Sequence, residues 1–144
     1  MIPGPPFGKA RPRKGKYGVY NPSSNAEYEG KVKAAYLEAR GMHDPTDGPV
    51  SLYVHAYFAI PKSAIRKRME DKIKEGEIYL GKPDADNIAK SVMDGLNGVA
   101  YIDDSQVYFL CCERNYSKNP RVEVFIWTKG EELYGIQYQM PCDQ

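Results

Sequence analysis

Residues 81–107 read Gly81-Lys-Pro-Asp-Ala-Asp-Asn-Ile-Ala-Lys90-Ser-Val-Met-Asp-Gly-Leu-Asn-Gly-Val-Ala100-Tyr-Ile-Asp-Asp-Ser-Gln-Val107. Five of the chain's 19 acidic residues fall inside this stretch: Asp84, Asp86, Asp94, Asp103 and Asp104. The spacing predicts a helix from about Asp86 to Asn97, with Pro83 just ahead of it and Asp84 in a capping position. At 100° per residue Asp86, Lys90 and Asp94 share one face, with Asn87, Ser91 and Asn97 beside them. Ile88, Ala89, Val92, Met93 and Leu96 form the buried face. Tyr101-Ile102 then leads into Asp103-Asp104 at the mouth of a strand. Carboxylates crowded onto a packed element repel one another unless a cation or a proton separates them.

The acids have a plain explanation in part. An acidic bias at a helix N-terminus is favoured by the helix dipole by about 0.3–1 kcal/mol, which covers Asp84 and Asp86. It does not cover Asp94 or the Asp103-Asp104 pair. Oxygen ligands with no His or Cys nearby suit Mg²⁺ or Mn²⁺, and Mg²⁺ takes one or two protein carboxylates plus waters and substrate phosphate. Asp84 and Asp86 bracket the helix start, and Asp104 can return to them across a short loop. Lys90 is then placed to hold a scissile phosphate or to stabilise charge developing on it.

The rest of the chain supplies complementary charge. Its 144 residues are 42% hydrophobic and 27% charged, with a net charge of +1, the size and composition of one soluble domain. Residues 1–75 hold 14 Lys/Arg against 8 Asp/Glu, while residues 76–144 hold 6 against 11. A basic half joined to an acidic cluster suits a protein that holds a polyanion, although solvated faces explain the charge as well. No run approaches the roughly 20 apolar residues of a membrane span, and the Pro/Gly-rich, then basic, opening lacks the pattern of a signal peptide. Cys111, Cys112 and Cys142 are odd in number and read as reduced thiols.

Residues 1–23 are expected to be an irregular arm. Gly8-Lys9-Ala10-Arg11-Pro12-Arg13-Lys14-Gly15-Lys16 places five cations in nine residues with no acid; an extended or turning backbone there either follows a phosphate chain or is a disordered basic arm. Ser24 with Glu27 has the form of a capping box, opening a scaffold helix with Tyr28, Val32, Ala35, Tyr36 and Ala39 on its apolar stripe and Gly41 as its stop. Residues 42–49 are loop, with His43 a solvated residue. Val50 to Ile60 alternates as a strand with one strongly apolar face, and His55 on the other face is a packed, hydrogen-bonded residue. A cationic helix from Ser63 to about Glu75 carries Arg66 and Lys67, as a solvated face or a DNA contact. Gln106–Asn115 and Arg121–Trp127 read as strands joined by a short hairpin-like loop over Tyr116–Pro120. Residues 128–144 are a polar tail or an arm onto a partner subunit.

Lys82-Pro-Asp-x-Asp-Asn-x-x-Lys90, then Asp94-Gly-Leu-Asn-Gly, then Asp103-Asp104-Ser-Gln-Val107 closely resembles the RusA-type Holliday junction resolvases, a family often carried by phages and prophages. The resemblance is strict over about 25 residues and extends loosely to the Gly-Lys-Ala-Arg-Pro-Arg arm, the Tyr28 helix and the Arg-Val-Glu-Val strand. It implies a single RusA-like α+β domain over residues 1–144, its sheet mostly antiparallel and packed with helices, and a first strand that is truncated or irregular here. It further implies a homodimeric, Mg²⁺-dependent endodeoxyribonuclease, Mn²⁺ substituting. Such an enzyme binds four-way DNA and makes paired nicks with 5′-phosphate and 3′-hydroxyl ends, in recombination and repair, in the cytoplasm of a bacterial or phage-infected cell. It uses no nucleotide cofactor and no membrane. By motif position Asp84, Asp86 and Asp104 correspond to the essential carboxylates and metal ligands, and Lys90 to the essential lysine. Asp94 and Asp103 are further candidate ligands, Asp103 also orienting its loop. Lys9, Arg11, Arg13, Lys14, Lys16, Arg66, Lys67 and Lys82 are the candidate DNA contacts. A catalytically silent DNA-binding protein of the same fold and a nuclease for other branched or flap DNA are the alternatives. A protein that only gripped DNA would gain nothing from a cluster that repels phosphate.

Overall fold

The computed structural model of the protein describes residues 1–20, 22–61 and 73–128. Its elements in chain order are β1 (Ile2–Pro3), β2 (Arg13–Gly15), β3 (Gly18–Tyr20), α1 (Ser23–Arg40), β4 (Val50–Ala59), α2 (Ala85–Leu96), β5 (Val107–Ser117) and β6 (Arg121–Thr128), with a 3₁₀ turn over Asp104–Gln106. The expected cationic helix with Arg66 and Lys67 lies outside the described residues, except for residues 73–75, which are not helical. The tail beyond Thr128 lies outside them too, with Cys142.

The main sheet has the order β1-β6-β4-β5. β4 runs antiparallel to β6 and parallel to β5, and β1 lies antiparallel to β6 through Ile2 opposite Val122. Two of the three pairings are antiparallel, so the domain is a single small α+β unit with a mixed sheet. This order corrects one expectation. β5 and β6 follow each other closely in the chain but do not form a hairpin; β4 lies between them. The reason is burial. Val50, Leu52, Val54 and Ala56 are fully buried and Ser51 nearly so, so β4 gains most as a central strand, whereas β5 exposes Tyr108, Phe109 and Leu110 and sits at the edge. A parallel neighbour needs a crossover, and the segment between β4 and β5 supplies it, with α2 inside it.

Both helices cover the Leu52/Val54/Ala56 side of the sheet through Tyr28 and Val32 of α1 and Ile88, Val92 and Leu96 of α2. They touch closely because residue 95 is glycine: a Cβ there would lie 2.6 Å from Val32 Cβ and 3.0 Å from the Glu29 carbonyl oxygen. The stripe of α1 fades before its end, since Ala39 is exposed. Its start also differs from expectation. Pro22 occupies the cap position with no side-chain hydrogen bond, so Ser24 and Glu27 form no capping box. At the other end Gly41, at φ 74°, closes the helix by donating its N–H to the Leu37 carbonyl.

The N-terminal arm is ordered where irregularity was expected. After the two-residue β1, residues 7–10 run along α2, and β2 and β3 then form a small antiparallel hairpin pairing Arg13 with Tyr20 and Gly15 with Gly18.

Candidate active site

The loop ahead of α2 is held from outside the motif. Arg114 of β5 donates Nη1–H bonds to the Gly81 (2.8 Å) and Pro83 (3.2 Å) carbonyls, and the Tyr79 hydroxyl donates to the Lys82 carbonyl at 2.6 Å. Lys82–Pro83 is a cis peptide bond. Asp84 sits at the cap position of α2, but its side chain makes no cap bond and pairs instead with the Lys82 ammonium. Its carboxylate is therefore turned outward. Asp86, in the first turn, is exposed, and among the described residues no cation pairs with it.

One turn on, Lys90 reaches across to the 3₁₀ turn. Its Nζ donates to Asp104 Oδ2 at 2.6 Å and lies 3.2 Å from Asp94 Oδ1. The hydrogen bond to Asp104, then those to Asp94, raise the Lys90 pKa above its ordinary value, so it is an ammonium throughout the neutral range. A charge-assisted bond between elements this far apart in sequence fixes the turn against the helix.

The turn is built to present Asp104. Asp103 caps it, Oδ2 accepting from the Ser105 N–H at 3.0 Å and from the Ser105 hydroxyl. Those bonds lower its pKa. Gln106 completes the capping box: its Oε1 accepts from the Ile102 and Asp103 N–H groups, both at 2.9 Å, and its Nε2 donates to the Thr46 (2.9 Å) and Gly48 (2.8 Å) carbonyls. Asp103 thus has a capping task. Beneath the turn Tyr101 is fully buried and donates its hydroxyl to the Met93 carbonyl at 2.9 Å. Burial, with Asp104, Asp94 and Asp103 nearby, pushes its pKa well up, so it stays a neutral donor.

The two halves of the basic arm part company here. Lys9 reaches the site, its Nζ pairing with Asp94 Oδ2. Arg11, Arg13, Lys14 and Lys16 are exposed on and around the β2–β3 hairpin. Ser91, expected beside the carboxylates, is buried and donates to the Phe7 (2.7 Å) and Ile88 (2.8 Å) carbonyls. The motif reading missed Arg114, Gln106 and Tyr101, and Asn25, whose side-chain amide bonds the Ala10 backbone next to Lys9. Each acts through partners far away in sequence or through backbone, and only the capping form of Asp103-x-x-Gln106 could have been read in advance.

The histidines are not part of this cluster. His55 is hydrogen-bonded to Asn115 Oδ1 (2.7 Å) and the Tyr57 hydroxyl (2.9 Å), and stacked on the Tyr57 ring. Exposed His43 contacts the Tyr36 hydroxyl and the Asp44 carbonyl. Cys111 and Cys112 are free thiols, and burial pushes Cys112 up to about 11.

Among the described residues no group of three or more His, Cys, Asp or Glu is close enough to hold a metal ion together. Asp84, Asp86 and Asp104 are therefore not gathered into one cage. Their chemistry still fits a hard divalent cation. All donors are carboxylate oxygens, one or two suffice for Mg²⁺, and the ammonium groups of Lys82 and Lys90 already lie against Asp84 and Asp104 in positions of positive charge.

The family model described as "Endodeoxyribonuclease RusA" matches residues 3–127. A Bacillus subtilis (strain 168) protein named "Uncharacterized protein YqaN" is 37% identical over 129 residues, covering 85% of this chain and 90% of the relative. Among the described residues no helix is long and apolar enough to cross a membrane.

Proposed function

This chain belongs to the RusA family of endodeoxyribonucleases, and on that footing we propose that it is a Mg²⁺-dependent endonuclease that resolves four-way DNA junctions by paired nicks. The observation that carries the reading is the placement of Lys90. It stands on the same helix as Asp86, turned to Asp104 across the 3₁₀ turn, with a raised pKa that keeps it cationic.

One or two carboxylates at a time from Asp84, Asp86 and Asp104 would hold the metal, which would supply Lewis acidity toward the phosphodiester. Lys90, displaced from Asp104 as the substrate docks, would donate N–H bonds to a non-bridging oxygen of the scissile phosphate and stabilise charge in the transition state. It would act as a cation and not as a base, its ammonium passing from one anion to another without giving up a proton. Arg114 and Tyr79 would set the loop that carries Asp84, while Asp103, Gln106 and Tyr101 would set Asp104. Exposed Arg11, Arg13, Lys14 and Lys16 would meet the DNA backbone, giving affinity without sequence reading. Paired nicks in a junction with two-fold symmetry call for two copies of the site, hence a homodimer, acting in recombination and repair in the cytoplasm; Mn²⁺ is expected to substitute for Mg²⁺.

The test is cleavage of labelled four-way, three-way, flap and linear duplex DNA, each with Mg²⁺ and with chelator. Cutting of the four-way junction at symmetric positions, abolished by chelator, is expected. Equal cutting of flaps and three-way junctions would assign a broader branched-DNA specificity, and tight binding without cutting would make the protein a binder.

A further inference from the structure

We propose that Lys9 is a positioning residue of the active site and not a DNA-backbone contact: it neutralises Asp94 so that Lys90 is free to leave the carboxylates for phosphate. The inference rests on the proposed nuclease function and deepens it.

The backbone around Lys9 is clamped on every side. The Phe7 ring stacks on Tyr28 with centroids 5.1 Å apart, and the Phe7 carbonyl accepts from Ser91. Gly8 passes so close to Pro83 that a Cβ would lie 2.3 Å from Pro83 Cβ. The Lys9 N–H donates to the Asn87 carbonyl at 3.1 Å. Asn25, 4% exposed, closes a two-bond ring with Ala10, its Oδ1 accepting from the Ala10 N–H (2.9 Å) and its Nδ2 donating to the Ala10 carbonyl (3.0 Å). Residues 11–19, which follow, are exposed. Lys9 is thus the one cation of the basic stretch held against α2, and its ammonium is directed to Asp94.

Stability alone does not account for this. Lys9 and Asp94 side chains are 31% and 15% exposed, and a partly exposed pair contributes less to stability than the backbone entropy lost in ordering a single residue. The pair therefore does not hold the strap down; the strap's other bonds do, and they present Lys9.

Charge explains what it is presented for. Asp94 is shared, Oδ2 toward Lys9 and Oδ1 toward Lys90, and Lys90 is shared between Asp94 and Asp104. Two lysines and two aspartates balance. Without Lys9 the same atoms carry a net negative charge, Lys90 is the sole cation between two carboxylates, and an arriving phosphate meets repulsion. With Lys9 in place Asp94 keeps a partner after Lys90 moves.

The experiment uses full-length protein and a synthetic four-way junction, with single-turnover cleavage at saturating enzyme and equilibrium binding over a salt series. Lys9→Ala is expected to lower the saturated rate by at least ~10-fold while leaving the salt slope of binding unchanged. Lys9→Arg should restore part of the rate. Lys9→Ala/Asp94→Asn should cut faster than Lys9→Ala alone, because the amide removes the charge that Lys9 offsets; a merely misfolded Lys9→Ala protein would not be rescued in this way. In metal-free protein, thermal unfolding of the same variants should show that the two substitutions are not additive. An unchanged saturated rate with a reduced salt slope would make Lys9 a phosphate contact and overturn the proposal, as would a double variant slower than Lys9→Ala. Wild-type protein that cuts no branched DNA would instead overturn the nuclease reading.

Discussion

Residues 7–10 and residues 11–16 are adjacent and form one basic stretch, yet the fold treats them in opposite ways. The first four are packed against α1 and α2 through backbone, ring and amide contacts, and their cation lies on a carboxylate. The rest stand out on a two-stranded hairpin with their charges in solvent. Local composition does not separate them; long-range partners do, Asn25 and Asn87 above all. The lesson is that a cation's function follows from what fixes its backbone. A clamped lysine acts on a chosen carboxylate, whereas exposed ones act on whatever polyanion approaches.

Several substitutions break or sharpen that contrast. The largest effect is expected at Lys90: Lys90→Ala should lower the single-turnover rate on a four-way junction by about 10²–10³-fold with a much smaller change in Kd. An unchanged rate would reduce Lys90 to a salt-bridge partner. Next, Gly8→Ala should destabilise the protein by about 1–3 kcal/mol, because the added methyl must push Pro83 or the strap aside, and thermal unfolding reads this directly. The same substitution should slow cleavage, since Pro83 precedes Asp84 and Lys9 follows residue 8. A neutral Gly8→Ala would mean that the strap is not tight.

On the exposed side, Arg11→Ala/Arg13→Ala should weaken junction binding and reduce the slope of log K against log salt by about 2, with the saturated rate unmoved by comparison with Lys90→Ala. An unaltered slope would show that the hairpin does not meet phosphate. The smallest effect concerns pH. Because Asp104 raises the Lys90 pKa, the stabilisation from that bond is fully present below the unfolded lysine value of about 10.4 and is lost as pH rises through the higher folded value. The difference in unfolding midpoint between wild type and Lys90→Met should therefore be flat from neutral pH to about 10 and shrink only above it.

Much of this was legible in residues 81–107, because apolar spacing and acid spacing there agree on one helix: α2 starts and ends within a residue of the expected bounds, and Ile88, Val92 and Leu96 are buried as predicted. β4 was legible for the same reason, its alternation being local. What long-range contacts determine was not. The three-residue link between β5 and β6 has the length of a hairpin, and only the burial of β4 on both edges shows why they do not pair. Ser91 has the helical phase of an exposed residue but is covered by Phe7 from far upstream. Lys9 stands close to Arg11 and Arg13 in sequence, and only the fold shows that its ammonium lies on Asp94, which belongs to another element.

The measurement that bears most directly on the central claim is cleavage of a labelled four-way junction in Mg²⁺ by wild-type protein and by Asp86→Asn, with binding followed in parallel. Asp86 is the exposed carboxylate of the first turn of α2, and the substitution leaves shape and helix intact. Symmetric nicks from wild type and none from Asp86→Asn, with binding retained or tightened, are predicted. Cleavage by Asp86→Asn at the wild-type rate would contradict the account and remove Asp86 from the metal site.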